Sequence, residues 1–219
     1  MVDPIDMNCA DFSSRALPPL PCPQMQGVKV LLASNSPRRR ELLGLILPEF
    51  TIAESRDVDE SYPSGLKADE VPVVISQKKA AAYADMLCTG ELIITADTVV
   101  VLGNEILGKP RDHADACAML AKLAGNTHTV ITGVTLTTDS RSTSFAENTK
   151  VTFATMTADE IEQYVRLYRP FDKAGAYGIQ EWIGAAVIER IDGCFYNVMG
   201  LPLHRLYRVL RQFFDGDIV

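Results

Sequence analysis

The hydrophobic pattern alternates dense apolar runs with amphipathic stretches. Leu92-Ile93-Ile94-Thr95-Ala96-Asp97-Thr98-Val99-Val100-Val101 is the strongest strand signal, apolar at nearly every position and therefore expected to be buried on both faces. Residues 28–33 have the same apolar, β-branched character; Ser36 then suits an N-cap and Pro37 the first helical position, where its missing N–H costs nothing. Residues 51–59 predict a strand running into an acidic loop. The alanine-rich stretch 69–87, with a proline near its start, predicts a helix that stops by Gly90. Asp112 predicts the cap of a helix through Leu123, with Ala116, Met119, Leu120 and Leu123 as its core stripe and Gly125-Asn126 as its stop. Residues 127–138 and 144–155, rich in Thr and Val, predict an antiparallel pair. Thr157 and Glu160 form a capping-box pattern for a helix to about residue 168. A glycine-containing loop over 171–182, a strand over 186–191, a turn at Asp192-Gly193 and a basic helix over 203–214 complete the pattern. Strands and helices in alternation, with one inserted hairpin, predict an α/β or mixed α+β fold with a mixed sheet.

At 219 residues and 47% hydrophobic, the chain can bury a substantial core. Residues 1–27 stand apart, with five prolines and little periodicity, and read as a flexible extension before a domain over 28–219. A net charge of -7 argues against a general nucleic-acid or membrane-surface binder, which needs positive charge. No apolar run approaches the roughly 20 residues of a membrane span. The five cysteines lack CxxC spacing, so neither a zinc site nor a disulfide framework is indicated, and a reducing cytoplasmic setting is expected. His113, His128 and His204 are isolated, with no HxxxH or matching cysteine pattern, and none is assigned to a site.

Against this acidic background, Ser34-Asn35-Ser36-Pro37-Arg38-Arg39-Arg40 carries local positive charge where a strand gives way to a helix. Three arginines at the positive end of a helix dipole are unfavourable without an anion, whereas free amides, hydroxyls and guanidinium forks suit phosphate. A solvated basic turn is the competing reading. Asp97 interrupts an apolar strand, where a carboxylate must be paired, hold metal or act as a base. With Glu60 in the preceding acidic loop it could hold magnesium, which takes one or two carboxylates plus substrate phosphates. Lys109, in Gly108-Lys109-Pro110, suits a phosphate-reaching lysine. Ser34 and Ser36 read as donors or caps rather than nucleophiles. The GxxxxGK[ST] and GxGxxG patterns are both absent.

The segments Leu31-Leu32-Ala33-Ser34-Asn35-Ser36-Pro37-Arg38-Arg39, Ala96-Asp97-Thr98-Val99-Val100, Leu107-Gly108-Lys109-Pro110 and Asp172-Lys173-Ala174-Gly175-Ala176-Tyr177-Gly178-Ile179-Gln180 resemble, in this order, the Maf family of nucleotide pyrophosphatases. The resemblance spans about residues 28–214. It implies a Maf/inosine-triphosphatase-like fold, with two lobes and flanking helices around a deep cleft. It also implies hydrolysis of a nucleoside triphosphate to monophosphate and pyrophosphate, with a divalent cation such as Mg2+, Mn2+ or Co2+. Residues 173–180 resemble the dTTP/UTP branch rather than the 7-methyl-GTP branch, whose loop contains Ser-Glu. By position, Asp97 matches the proton acceptor, and Arg38, Thr98 and Gln180 match specificity positions. Arg39, Glu60, Lys79 and Lys109 match further functional positions, Lys79 being preferred to Lys78 because an alanine follows it. Arg39 is thereby assigned to phosphate and Arg40 to the surface. Glu181 departs from the glycine common in bacterial members and places a charge near the base-reading loop. The expected partner is a free nucleoside triphosphate, with no stable nucleic-acid or membrane partner and with room for a homodimer. A non-catalytic nucleotide-binding regulator of cell division and a purine- or 7-methyl-GTP-selective pyrophosphatase are the alternatives.

Overall fold

The computed structural model describes residues 18–215. Its centre is a seven-stranded mixed sheet built on β3 (Glu91–Leu102), the strand with the densest apolar run. On one side β3 pairs in parallel with β1 (Lys29–Ala33), which pairs in parallel with the two-residue β2 (Thr51–Ile52). On the other it pairs antiparallel with β5 (Thr127–Thr137), followed by β6 (Ser142–Phe153) and β7 (Ile188–Asp192). A short β4 (Glu105–Leu107) folds back on the far end of β3. Helices α1 (Pro37–Leu43), α2 (Val71–Ala81), α3 (His113–Leu123), α4 (Ala158–Tyr168), α5 (Trp182–Ala186), α6 (Phe195–Met199) and α7 (Leu203–Asp215) accompany the sheet. The mixed α/β architecture is the one expected.

Both faces of β3 are covered. Ala96 packs with Leu42, Leu43, Leu201 and α7, Val100 packs with α3, α4 and residues 176–187, and Val99 and Val101 pack under α2. Alternation therefore points Thr95, Asp97 and Val99 toward α2 and Ala96, Thr98 and Val100 to the opposite side. The Asp112 cap and the Thr157–Glu160 capping box form as expected.

Several boundaries differ from the pattern-based expectation. β2 ends at Ile52, because the acidic and polar residues after it have no apolar face to bury, and the chain leaves the sheet there. α2 ends at Ala81 and continues as turns to Met86 rather than as helix. α5 and α6 occupy stretches that carried no helical signal, each being only five residues long. Of the expected N-terminal extension, residues 1–17 lie outside the described residues. Cys22 and Met25, around a 3-10 turn at Pro23–Met25, are buried in the same core cluster as α7.

Two glycines set how closely elements approach. Gly133 on β5 lies opposite Asp97, and a Cβ there would meet the Pro72 backbone at 2.3 Å, so α2 can seat on the sheet only over a glycine. Gly175 has φ +69°, and its Cβ would meet Val100 at 2.9 Å; this lets the loop after α4 lie against β3.

Candidate active site

The parallel register Ala33↔Thr95 brings the end of β1 beside the middle of β3, so the turn at 34–36 emerges next to Asp97. β3 continues past this point without β1 alongside, which leaves its edge open. Ser36 occupies the N-cap position of α1 but makes no side-chain cap bond; its amide donates to Ser34 Oγ at 3.3 Å. Arg38 Nη1 donates to Asp172 Oδ2 at 2.7 Å. Arg40 is exposed, as expected.

Arg39, expected at the phosphate, lines both cavities and is also held by the protein's own acceptors. Its Nε donates to Gly200 O at 2.8 Å, Nη1 to Ala96 O at 2.8 Å and Nη2 to Thr98 Oγ1 at 2.9 Å. Three of five guanidinium donors are thus engaged by the protein's own acceptors, tying α1 to β3 and to the turn before α7. Burial pulls the guanidinium below its usual pKa, against the opposing pull of Asp97, and it remains a cation. Thr98, matched to a specificity position, is drawn into the same clamp and shares a 2.9 Å hydroxyl contact with Thr132.

Across the sheet, α2 delivers Lys79. Ser76, one turn earlier, shares a 2.8 Å hydroxyl contact with Thr135, and its carbonyl accepts from Thr95 Oγ1 at 2.7 Å, which fixes the rotation of the helix. Lys79 Nζ then lies 2.8 Å from Asp97 Oδ1 and 2.9 Å from Glu60 Oε1. The preference for Lys79 over Lys78 agrees with this geometry, since Lys78 turns instead to Asp59 and Ser61 O. Burial acts to raise the Glu60 carboxyl, but Lys79, Lys109 and Arg39 hold it below its usual value.

These groups line two adjoining cavities. The larger, about 720 Å³, is walled by residues 33–39, the loop carrying Glu60, Lys79 and Lys109. The smaller, about 110 Å³, is lined by Asp97, Thr98, Val100, Tyr177, Gln180 and Met199. Ser36, Arg38, Arg39, Lys79, Lys109 and Asp172 border both. Every site residue expected from sequence therefore lies at one or both cavities. A cation-rich, open space joined to a narrower one, where Val100, Tyr177 and Met199 stand among charged side chains beside a terminal amide, suits a ligand that is anionic at one end and a flat ring at the other. A model of the family described as Maf-like protein matches residues 29–213.

The chain belongs to the Maf family. It is 50% identical over 188 residues to the dTTP/UTP pyrophosphatase of Phocaeicola vulgatus, covering 86% of this chain and 97% of that one. It is 47% identical over 191 residues to the dTTP/UTP pyrophosphatase of Porphyromonas gingivalis, covering 86% and 96%. A solved HAM1 protein from Coxiella burnetii aligns over 84% of this chain and 99% of that one, at 16% identity and a TM-score of 0.44.

Within this Maf domain the structure adds members that residue-by-residue reading left unassigned. Asp172 joins Arg38 to Lys173, whose Nζ lies 2.9 Å from Asp172 and 3.1 Å from Glu181. Burial acts to raise the Asp172 carboxyl, yet the two cations hold it below its usual value. Tyr164 donates to Glu181 and accepts from Gly178 N at 3.1 Å, pinning the loop that carries Gln180. Buried Asn197 donates to Val130 O and Thr149 Oγ1, both at 3.0 Å, and holds α6 against the sheet. Asp172 and Lys173 stood in a quoted motif, but their pairing joins residues far apart in sequence and no spacing could reveal it.

The donor set fits a hard divalent cation. Asp97 and Glu60 converge on one cationic atom, and the second oxygen of each carboxylate makes no hydrogen bond among the described residues. Two carboxylates beside a basic cavity match the way magnesium is held in phosphoryl-transfer sites.

Proposed function

We propose that this chain hydrolyses dTTP and UTP to the nucleoside monophosphate and pyrophosphate. The observation that carries the reading is the Asp97–Lys79–Glu60 constellation at the junction of a basic cavity and a ring-sized slot, in a chain half identical to enzymes named for that reaction. The triphosphate lies along residues 34–38 with Arg38 and Lys109 neutralising its oxygens, and the pyrimidine enters the slot toward Gln180. Asp97 accepts a proton from water as its oxygen bonds to the α-phosphorus, and the bond from that phosphorus to the bridging oxygen breaks, releasing pyrophosphate. Lys79 bridges Asp97 and Glu60, holds the Glu60 carboxyl below its usual value and offsets charge that builds on the phosphoryl oxygens. Asp97 and Glu60 would hold the divalent cation, Mg2+ or in its place Mn2+ or Co2+, which when bound supplies Lewis-acid polarisation of those oxygens. Arg39 shapes this site by holding β3, α1 and Gly200 together. The same reading sets the enzyme to work on free nucleotides in the cytoplasm, as a monomer or homodimer.

The test is pyrophosphate release, with magnesium, from a panel of dTTP, UTP, CTP, ITP, XTP and 7-methyl-GTP. Turnover is expected first with dTTP and UTP, and Asp97→Asn is expected to lower kcat by at least about 100-fold while remaining folded. Near-full turnover by folded Asp97→Asn would remove the proton-acceptor assignment. Tight binding without turnover of any member would favour a nucleotide-binding regulator.

A further inference from the structure

On the side of the molecule away from Lys79, the apolar faces of α3 and α4 meet through Ala116, Leu120, Ile161 and Val165. At the rim of that contact three residues with metal-ligating atoms come together. His113 and Cys117 lie one turn apart on α3, and Glu162 reaches them from α4. Cys117 Sγ is 3.8 Å from His113 Nδ1 and 3.7 Å from Glu162 Oε2, and His113 Nε2 is 3.2 Å from Glu162 Oε1. One ligand atom from each residue lies within 4.8 Å of the other two. The cysteine spacing alone indicates no zinc site and the histidines look isolated in sequence; folding supplies the third ligand from 45 residues further along.

We propose that His113, Cys117 and Glu162 form a binding site for a borderline transition-metal dication of the zinc or cobalt class, separate from the catalytic carboxylates. With metal bonds of about 2.0–2.3 Å, ligand atoms of a tetrahedral site lie roughly 3.3–3.6 Å apart, close to the spacing already present. The imidazole now faces the thiol with one nitrogen and the carboxylate with the other, and a small side-chain rotation gives one nitrogen to the ion. His113 and Glu162 are near half exposed, so they are free to make it. Thiolate and imidazole select against magnesium, which prefers oxygen, so magnesium at the catalytic carboxylates does not compete here. Three protein ligands leave the fourth position to water. The ion takes the place of the thiol proton that Cys117 now directs at Glu162, and it bridges α3 to α4, which carries Tyr164 beneath the Gln180 loop.

The test uses the full, reduced chain without nucleotide. Cobalt titration is expected to give a near-ultraviolet thiolate-to-metal charge-transfer band at one equivalent, present in wild type and in Asp97→Asn and absent in Cys117→Ser. Zinc at about 100 times its dissociation constant is expected to raise Tm by about 5–10 °C in those same two proteins and not in Cys117→Ser. His113→Ala and Glu162→Gln are expected to weaken cobalt binding at least tenfold. A charge-transfer band that survives Cys117→Ser, or a zinc shift lost in Asp97→Asn and kept in Cys117→Ser, would overturn the proposal. So would the absence of any band in wild type.

Discussion

Arg39→Lys separates two roles that the same residue could play. In the structure Arg39 spans three acceptors, at 2.8, 2.8 and 2.9 Å, two on β3 and one at Gly200. A lysine keeps the charge but lacks the planar fork, and its single ammonium cannot reproduce a pattern that spans Nε and both terminal nitrogens. Two charge-assisted hydrogen bonds are then lost, each worth about 1.5–3 kcal/mol. Arg39 is only part-buried, so water can recover some of this, and a net loss of about 2–4 kcal/mol follows. For a chain of this size each kcal/mol lowers Tm by about 2–4 °C, giving a fall of about 5–15 °C. Were Arg39 a dedicated phosphate donor, the signature would be an unchanged Tm with a rate loss on the order of 100-fold, as for lost oxyanion-site donors. Thermal melting and steady-state kinetics on the same preparation decide between them. An Arg39→Lys protein that melts within about 1 °C of wild type yet has lost about 100-fold in kcat/KM would refute the clamp reading.

Three further outcomes follow from the geometry. Lys79→Met removes the cation that helps hold the Glu60 carboxyl below its usual value, so the acidic limb of the kcat–pH profile should move to higher pH, and an unmoved limb would mean Lys79 does not hold Glu60 ionised. His128 is buried against Phe153 and Tyr177, and burial depresses its pKa to about 4. Because the unfolded histidine titrates near 6.5, this contribution is complete above that pH and is lost as pH falls toward 4, costing about 3 kcal/mol; urea unfolding of His128→Gln should lack that component of the pH dependence. Glu181→Gln weakens the anchor for Lys173 and Tyr164 while leaving Asp97 in place, so KM for dTTP should rise several-fold with kcat changed less, as steady-state kinetics would show.

What was legible in the sequence followed physical period and spacing. The long strand around Asp97, the Asp112 cap, the Thr157–Glu160 box and the hairpin are local patterns whose residues need no distant partner, and they form as expected. Most of the expected site residues sit in four short segments, with Glu60 and Lys79 outside them, and the folded chain gathers all of them at two adjoining cavities. The clamp at Arg39 was not legible because a guanidinium beside a helix start suits phosphate and an internal clamp equally, and only folding brings Ala96 O, Thr98 and Gly200 O to it. The five-residue α5 and α6 were invisible for a different reason. They are too short to show a period and are held by tertiary contacts such as those of Asn197 rather than by propensity. The grouping of His113, Cys117 and Glu162 was not legible because Glu162 comes from another helix, 45 residues beyond Cys117.

Glu181 shows how a departure from the family pattern can be neutral in effect. Taken by position it sets a negative charge beside Gln180, which would attract a cationic ring such as a 7-methylated guanine and disfavour a neutral pyrimidine. In the structure its carboxylate is instead committed to Lys173 and Tyr164 and is largely buried. Lys173 is shared with Asp172, and Asp172 with Arg38, so two acids and two bases alternate in an unbroken chain. That chain runs from the basic turn after β1 to the backbone of Gly178 by way of Tyr164. Its formal charges cancel, so the slot near Gln180 carries little net field from it, and a carboxylate in place of glycine need not change which ring is preferred. The chain also couples the two ends of the site mechanically. A triphosphate that draws Arg38 away from Asp172 would leave Asp172 and Glu181 sharing Lys173 alone, loosening the same loop that the base must meet.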